Sequence, residues 1–157
     1  MQNDEGILKR AKERALYLLE YRDHSAKELF DKLKKNYDEH ICAKVVANLI
    51  EIGLLNDKNY ADKLANYYLK KWGSRRAILE MQRKGISKEV ALNAIEDCSI
   101  DSYFILKEII YKKYDCGLDD YKQRHKTISA LLRLGFEYSM IKEVIIEIMQ
   151  ELEENDD

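Results

Sequence analysis

The chain of 157 residues contains no proline, only six glycines and three cysteines. Without proline, and with so little glycine, it lacks the residues that most often interrupt helices and shape the tight turns of sheets. Hydrophobic residues make up 46% of the chain, and Ala, Leu, Ile, Lys and Glu, which favour helices, are prominent among all residues. We therefore predict an all-α protein.

The cysteines exclude two kinds of structural support. Cys42, Cys98 and Cys116 are odd in number, lie far apart and form no Cys-x-x-Cys pair, so neither a disulfide framework nor a zinc site is indicated.

The first residues lack the basic-then-apolar order of a signal peptide, and no apolar run approaches the roughly 20 residues needed to span a bilayer. We expect a protein of the reducing cytoplasm.

Signatures of enzymes are also missing. The sequence has no phosphate-binding loop and no dinucleotide-binding glycine motif. His24, His40 and His125 have no neighbours at metal-ligand spacing, and we predict that all three lie at the surface. We expect a protein that is not an enzyme and that uses no cofactor, metal or small-molecule substrate.

Charge is unevenly distributed along the chain. The formal net charge is -2, but residues 143–157 carry seven acids and no base, which leaves residues 1–142 with a net charge of +5. A basic body with an acidic tail is compatible with nucleic acid or with an acidic protein groove as the partner. The alternative is an ordinary helical protein with solvated charged faces.

The densest basic cluster lies near the middle of the chain, between Lys70 and Lys88, where seven Lys or Arg residues accompany one acid, Glu80. A helical projection places Ile78 and Met81 towards the core, with Arg76 and Arg83 on the opposite side. We predict that this stretch binds an anionic partner, with Trp72 packed. The candidate contact residues are Tyr67, Lys70, Lys71, Arg75, Arg76, Arg83 and Lys84.

An internal repeat organises the helices. Asn36-Tyr37, Gly85-Ile86 and Gly135-Phe136 are spaced 49 and 50 residues apart, with apolar residues at matching distances on either side. We predict three tandem three-helix repeats that form an elongated, curved array. Their predicted boundaries are 7–55, 56–99 and 100–153, followed by an acidic tail at 154–157. A single helical bundle is the alternative.

Local signals predict where the helices begin and end. Ser25 and Glu28 form a capping box, and Ser87 caps a later helix. Asn36 is expected to adopt the left-handed conformation that ends a helix, and Asp57 to cap a helix from about Lys58 to Lys71. The longer, more polar 115–126 segment predicts a long loop or an extended helix.

Several short motifs, in this order, resemble the RecX family of RecA regulators. The first repeat and its junction carry Asp23-His24-Ser25, Glu28-Leu29 and Gly53-Leu54-Leu55-Asn56-Asp57. The second repeat carries Tyr60-Ala61 and, from Glu80 to Ile86, Glu-Met-Gln-Arg-Lys-Gly-Ile; the third matches mainly through Leu134-Gly135-Phe136. The sequence departs from the family pattern at Asn36, Met81 and the acidic tail.

The resemblance implies a non-catalytic protein of three three-helix repeats. Such a protein would lie in the helical groove of the RecA filament and restrain ATP hydrolysis and strand exchange. Weak binding to single- or double-stranded DNA would be compatible with its basic body. The alternative from the residues themselves is a direct DNA-binding protein built from helix-turn-helix-like units.

Overall fold

A computed structural model describes the backbone of residues 2–157 and side chains from residue 3 onward. These residues form nine α-helices and no strand, which confirms the all-α prediction. The helices are α1 Gln2–Tyr21, α2 Ala26–Lys34, α3 Glu39–Glu51, α4 Asp57–Tyr68, α5 Ser74–Arg83, α6 Lys88–Asp97, α7 Ser102–Lys113, α8 Tyr121–Arg133 and α9 Tyr138–Asp156. Over this described range, no helix is both long and apolar enough to cross a membrane.

The chain divides into two compact units. The first takes in the chain up to Lys63 together with Met81–Ala94, and the second takes in Leu64–Glu80 and Ile95–Asp157. Both α4 and α5 therefore contribute residues to each unit.

In the first unit, α1 and α2 both pack on α3. Their shared core consists of aliphatic side chains, two alanines and a buried cysteine: Ala11, Ala15, Leu29, Leu33, Ile41, Cys42, Val45, Leu49 and Leu55. The α3 residues Ile41, Val45 and Leu49 follow the four-residue spacing that places side chains on one face of a helix. Burial raises the pKa of the Cys42 thiol, so this cysteine serves as a small apolar core residue.

In the second unit, α7 and α8 pack on α9. The core residues are Leu106, Ile110, Leu118, Leu131, Phe136, Ile141, Val144, Ile145 and Ile148. The acidic end of the chain continues α9 as far as Asp156. Lys107 on α7 supports this end, because its Nζ lies 2.8 Å from Glu147 Oε1 and 2.7 Å from Glu151 Oε1.

Most of the predicted helix boundaries agree with the structure. The capping box is present, since the Ser25 hydroxyl accepts the Glu28 N–H while the Glu28 carboxylate accepts the Ser25 N–H. Ser87 caps α6 by accepting the Val90 N–H at 3.2 Å. In the 115–126 segment, residues 115–120 form a loop. Helix α8 then begins at Tyr121, where the Asp120 side chain accepts the Gln123 N–H.

Two predicted helix boundaries were wrong. Among the described residues, only glycines have positive φ, so Asn36 does not adopt the left-handed conformation. Helix α2 ends instead with the N–H groups of Asn36 and Tyr37 both bonded to the Leu33 carbonyl. Helix α4 ends at Tyr68 rather than Lys71, since the N–H groups of Lys71 and Trp72 turn back to the Tyr68 carbonyl.

The predicted cap of α4 was also wrong. The Asn56 side chain fills this position and accepts the Asn59 N–H at 3.1 Å. Asp57 instead reaches α2, where its Oδ1 accepts the Ala26 N–H at 2.9 Å. The start of α4 therefore satisfies a donor at the start of α2.

Candidate partner-binding surface

Stacked aromatic rings form the centre of the predicted basic stretch. The turn after α4 brings Trp72 back over Tyr68, with ring centroids 5.0 Å apart and planes inclined by 21°. Tyr67 meets the edge of Tyr68 at 5.5 Å. Tyr68 is buried, Trp72 is half-buried and Tyr67 is 61% exposed. This layering places aromatic surface at the exterior of the second unit.

Two cations rest on these rings. Lys71 Nζ lies 4.4 Å from the Tyr67 centroid and 4.3 Å from the Trp72 centroid. Arg76 Cζ lies 4.1 Å from the Trp72 centroid. The face of an aromatic ring attracts a cation within about 6 Å. We call Tyr67, Tyr68, Lys71, Trp72 and Arg76 the Trp72 cluster; its positive charges are held in place before any partner arrives.

The position of Arg76 differs from the sequence-based expectation. We predicted an arginine pointing away from the core, but its side chain is half-buried against Trp72. The helical projection considered the residues of α5 alone. It omitted Trp72, which lies in the turn before α5 and covers that side of the helix.

The remaining predicted contact residues fall into two groups. Lys70 and Arg75 are exposed beside the Trp72 cluster in sequence, and Arg75 Nε pairs with Glu137 Oε1 at 3.0 Å. Arg83, which is exposed, and Lys84, which is half-buried, belong to the first unit. The structure thus assigns five of the seven predicted residues to the second unit and two to the first.

A junction in the first unit was not predicted. The Ser25 hydroxyl, besides capping α2, donates a hydrogen bond to the Lys84 carbonyl at the end of α5. The last carbonyls of a helix have no partner within the helix. Ser25 therefore joins the start of one middle helix to the end of the next. Gly85, with φ +89°, makes this approach possible, because a Cβ there would lie 2.7 Å from both Ser25 Oγ and Lys27 Cβ.

The histidine beside this junction is buried, contrary to the surface position that we predicted. His24 is 3% exposed; its Nδ1 donates to the Arg22 carbonyl at 2.9 Å, and its Nε2 accepts from Lys32 Nζ at 2.9 Å. Burial, assisted by the charges of Arg22 and Lys32, lowers the pKa of His24. His24 is therefore a neutral structural residue near pH 7.

The second unit contains a junction at the equivalent repeat positions. The Gly73 N–H donates to the Leu134 carbonyl at 2.9 Å, and the Arg75 N–H donates to the Gly135 carbonyl at 3.2 Å. A Cβ on Gly73 would lie 2.3 Å from the carbonyl carbon and oxygen of Gly135. The end of α8 thus caps the start of α5 through the backbone alone.

Three family domains match the chain in the order that the repeats predict. RecX, first three-helix domain, matches residues 11–49; RecX, second three-helix domain, matches residues 56–95; and RecX, third three-helix domain, matches residues 105–145. The chain belongs to the RecX family. The prediction of three tandem three-helix repeats is confirmed.

Curated RecX relatives align over most of the chain. Regulatory protein RecX of Clostridioides difficile (strain 630) is 31% identical over 151 residues, covering 93% of this chain and 71% of the relative. Regulatory protein RecX of Clostridium botulinum (strain Eklund 17B / Type B) is 33% identical over 153 residues, covering 94% and 72%. The protein of the same name from Vibrio cholerae serotype O1 (strain M66-2) is 30% identical over 131 residues, covering 82% and 86%.

Solved RecX structures share the fold. The crystal structure of RecX from Lactobacillus salivarius superposes with a TM-score of 0.84 at 26% identity, covering 96% of this chain and 99% of that one. A second crystal structure of regulatory protein RecX gives a TM-score of 0.79 at 18% identity, covering 87% of this chain and 72% of that one. At this lower identity the likeness concerns the fold alone.

Many residues that carry the RecX resemblance lie at the Ser25 junction. Ser25 and Glu28 cap α2, Asp57 accepts the Ala26 N–H, and Gly85 permits close packing. Arg22 pairs with the Glu28 carboxylate at 3.1 Å. Burial alone would raise the pKa of Glu28, but the hydrogen bond from the Ser25 N–H and, after it, the one from the Arg22 side chain lower that pKa. In this RecX chain, these motif residues therefore have structural roles, separate from the Trp72 cluster.

Proposed function

We propose that this RecX-family protein is a non-catalytic regulator that binds the RecA recombinase filament in the cytoplasm. It restrains ATP hydrolysis and strand exchange, and so acts in DNA repair, recombination and the SOS response. The relatives named regulatory protein RecX support a regulatory role. The observation that carries a binding mechanism is the Trp72 cluster, where two cations are fixed on exposed or half-exposed aromatic rings.

The Trp72 cluster suits an acidic protein surface. Arg76 Cζ lies over the Trp72 ring, and a guanidinium group offers several N–H donors that match carboxylates in a bidentate geometry. Lys71 is exposed and already positioned by two rings. A filament repeats its protomers, so several modest contacts of this kind would act together and raise the overall affinity.

A titration of DNA-dependent RecA ATPase activity tests this proposal. We expect the wild-type protein to lower the rate in a saturable manner, and Arg76→Glu to act only at higher concentration. Arg133→Glu reverses the charge of an exposed arginine in the same unit and serves as the matched control. Unchanged ATPase activity at saturating wild-type protein would refute filament regulation, and equal effects of both variants would refute a role for the cluster.

Direct DNA binding is a second candidate function. Tyr67 is 61% exposed beside Lys71, and a base could stack on its ring while the cation neutralises a phosphate. Fluorescence anisotropy with single- and double-stranded oligonucleotides at low salt separates the candidates. Binding without RecA that weakens steeply with salt and is lost in Tyr67→Ala would support this function. Absence of binding would exclude it.

A further inference from the structure

A groove of about 360 Å³ lies between α8 and α9 in the second unit, away in sequence from the predicted basic stretch. Its floor is aliphatic, formed by Ile128, Ile145, Ile146 and Met149. Ile146 is 53% exposed and Ile145 is buried, so the floor extends from the solvent to the core. Pockets of this size commonly receive apolar groups of a ligand or a protein partner.

The rim of this α8–α9 groove is basic. Arg124 borders it from α8 and Lys142 from α9, while no carboxylate is among the side chains that line it. Arg124 is held in place because its Nη1 donates to the Leu118 carbonyl at 2.9 Å. Lys142 lies 5.3 Å from the centroid of the Tyr138 ring. Positive charge therefore flanks an apolar floor on both walls.

These features favour a protein segment over nucleic acid. Nucleic acid would place phosphates on the cations and bases on aromatic faces. The rings of Tyr138 and His125 also line the groove, but its floor is formed by aliphatic side chains, which suit apolar side chains of a protein segment. A groove between two helices fits a third helix, whose apolar stripe enters the floor while its flanking side chains reach the rim. Charge complementarity requires those flanking side chains to be acidic.

We propose that the α8–α9 groove binds an acidic amphipathic helix of a partner protein. Apolar side chains of that helix insert between Ile128 and Ile146, and its carboxylates pair with Arg124 and Lys142. The inference goes beyond the proposed function, because it concerns a second surface and does not depend on the identity of the partner.

A neighbouring cavity supplies a natural control. The Met149 side chain also lines a second cavity, whose rim is acidic and includes Asp119, Glu153 and Asp156. Leu152 borders that cavity and is 37% exposed. Ile146→Glu and Leu152→Glu therefore make the same chemical change on α9, one in the basic groove and one in the acidic cavity.

The test uses a synthetic helical peptide with leucines spaced to form one stripe and glutamates on both sides, titrated into the whole 157-residue chain. A matched peptide carries lysines in place of the glutamates. We expect the glutamate peptide to bind the wild-type protein. The lysine peptide should bind the wild type about tenfold more weakly, and the glutamate peptide should bind Ile146→Glu or Lys142→Glu about tenfold more weakly. Leu152→Glu should leave binding within about twofold.

Other occupants of the groove would give different results. Failure of the glutamate peptide to bind, or equal binding of both peptides, would overturn the proposal. An equal loss with Leu152→Glu would also overturn it. Self-association that Ile146→Glu abolishes would assign the groove to a second copy, and displacement of the peptide by an oligothymidine would assign it to nucleic acid. Circular dichroism of each variant verifies that it is folded, and no recombinase is needed in any arm.

Discussion

The two junctions, in each of which the end of one middle helix contacts the start of another, are built in different ways. In the first unit, the side chain of Ser25 connects the start of α2 to the last carbonyls of α5. In the second unit, the backbone of Gly73 contacts the end of α8 directly. When the first two repeats are aligned, Gly73 takes the position of His24, and Ser74 takes the position of Ser25. Both junctions need a glycine at a close approach, Gly85 in the first and Gly73 in the second. The first adds a hydrogen bond from the Ser25 side chain, whereas backbone groups alone make the hydrogen bonds of the second.

This difference indicates what each junction tolerates. A side-chain junction can lose one hydrogen bond and keep its packing, which costs a moderate amount of free energy. A backbone contact leaves no room, so any added atom must move one chain away from the other. We therefore expect an atom added at Gly73 to lower the free energy of unfolding more than the loss of the Ser25 hydroxyl does.

The largest expected effect comes from Gly73→Ala. The new Cβ would lie 2.3 Å from the Gly135 backbone, and we expect the free energy of unfolding to fall by about 3 kcal/mol because neither backbone segment can yield cheaply. Gly53→Ala is the control: Gly53 has φ +81° but no atom within 4 Å of an added Cβ. Urea denaturation should give a loss of about 1 kcal/mol for the control, from backbone strain alone. Equal losses would contradict the close contact at Gly73.

A moderate effect is expected for Ser25→Ala. The substitution removes both the cap on the Glu28 N–H and the bond to the Lys84 carbonyl, so we expect a loss of about 2 kcal/mol. Ser74→Ala at the equivalent position should cost less than half of this, because the Leu134 and Gly135 carbonyls already accept the N–H groups of Gly73 and Arg75 on either side of it. The same denaturation measurement compares the two, and a larger loss at Ser74 would reverse the assignment of the junctions.

The smallest effect concerns pH. Because burial lowers the pKa of His24 in the folded state, the unfolded chain binds this proton first as pH falls below the ordinary value near 6.5. The stability that neutral His24 contributes is complete above that pH and is lost as pH falls through the folded pKa. Unfolding at pH 7.5 and 5.5 should show a decline in the wild type that His24→Gln reduces. An unaltered decline in His24→Gln would contradict the buried neutral state of His24.

The sequence predicted features that depend on neighbouring residues. Ser25 and Glu28 lie three residues apart and form the capping box, and Ser87 caps α6 by accepting the Val90 N–H. The prediction of a left-handed Asn36 was wrong, because the Leu33 carbonyl can accept two successive N–H groups without a left-handed residue. Local signals were therefore reliable where no alternative hydrogen bond competed with them.

Contacts between distant residues could not be predicted. Asp57 bonds Ala26 across 31 positions, and Ser25 bonds Lys84 across 59. No periodicity links such pairs, so His24 was wrongly predicted to lie at the surface. For the candidate surface, the sequence identified the Lys and Arg residues and Tyr67 as candidate contact residues. The stacking of Arg76 on Trp72 depends on a turn whose direction only the structure gives.

Binding to RecA filaments assembled on single-stranded DNA tests the proposed function most directly. Biolayer interferometry would compare the wild type with Lys70→Glu/Lys71→Glu and with Lys112→Glu/Lys113→Glu, two adjacent pairs of exposed lysines in the second unit. We predict that the first double variant binds about tenfold more weakly and that the second binds like the wild type. Wild-type protein that does not bind the filament, or an equal loss in both double variants, would contradict the Trp72 cluster as the contact surface.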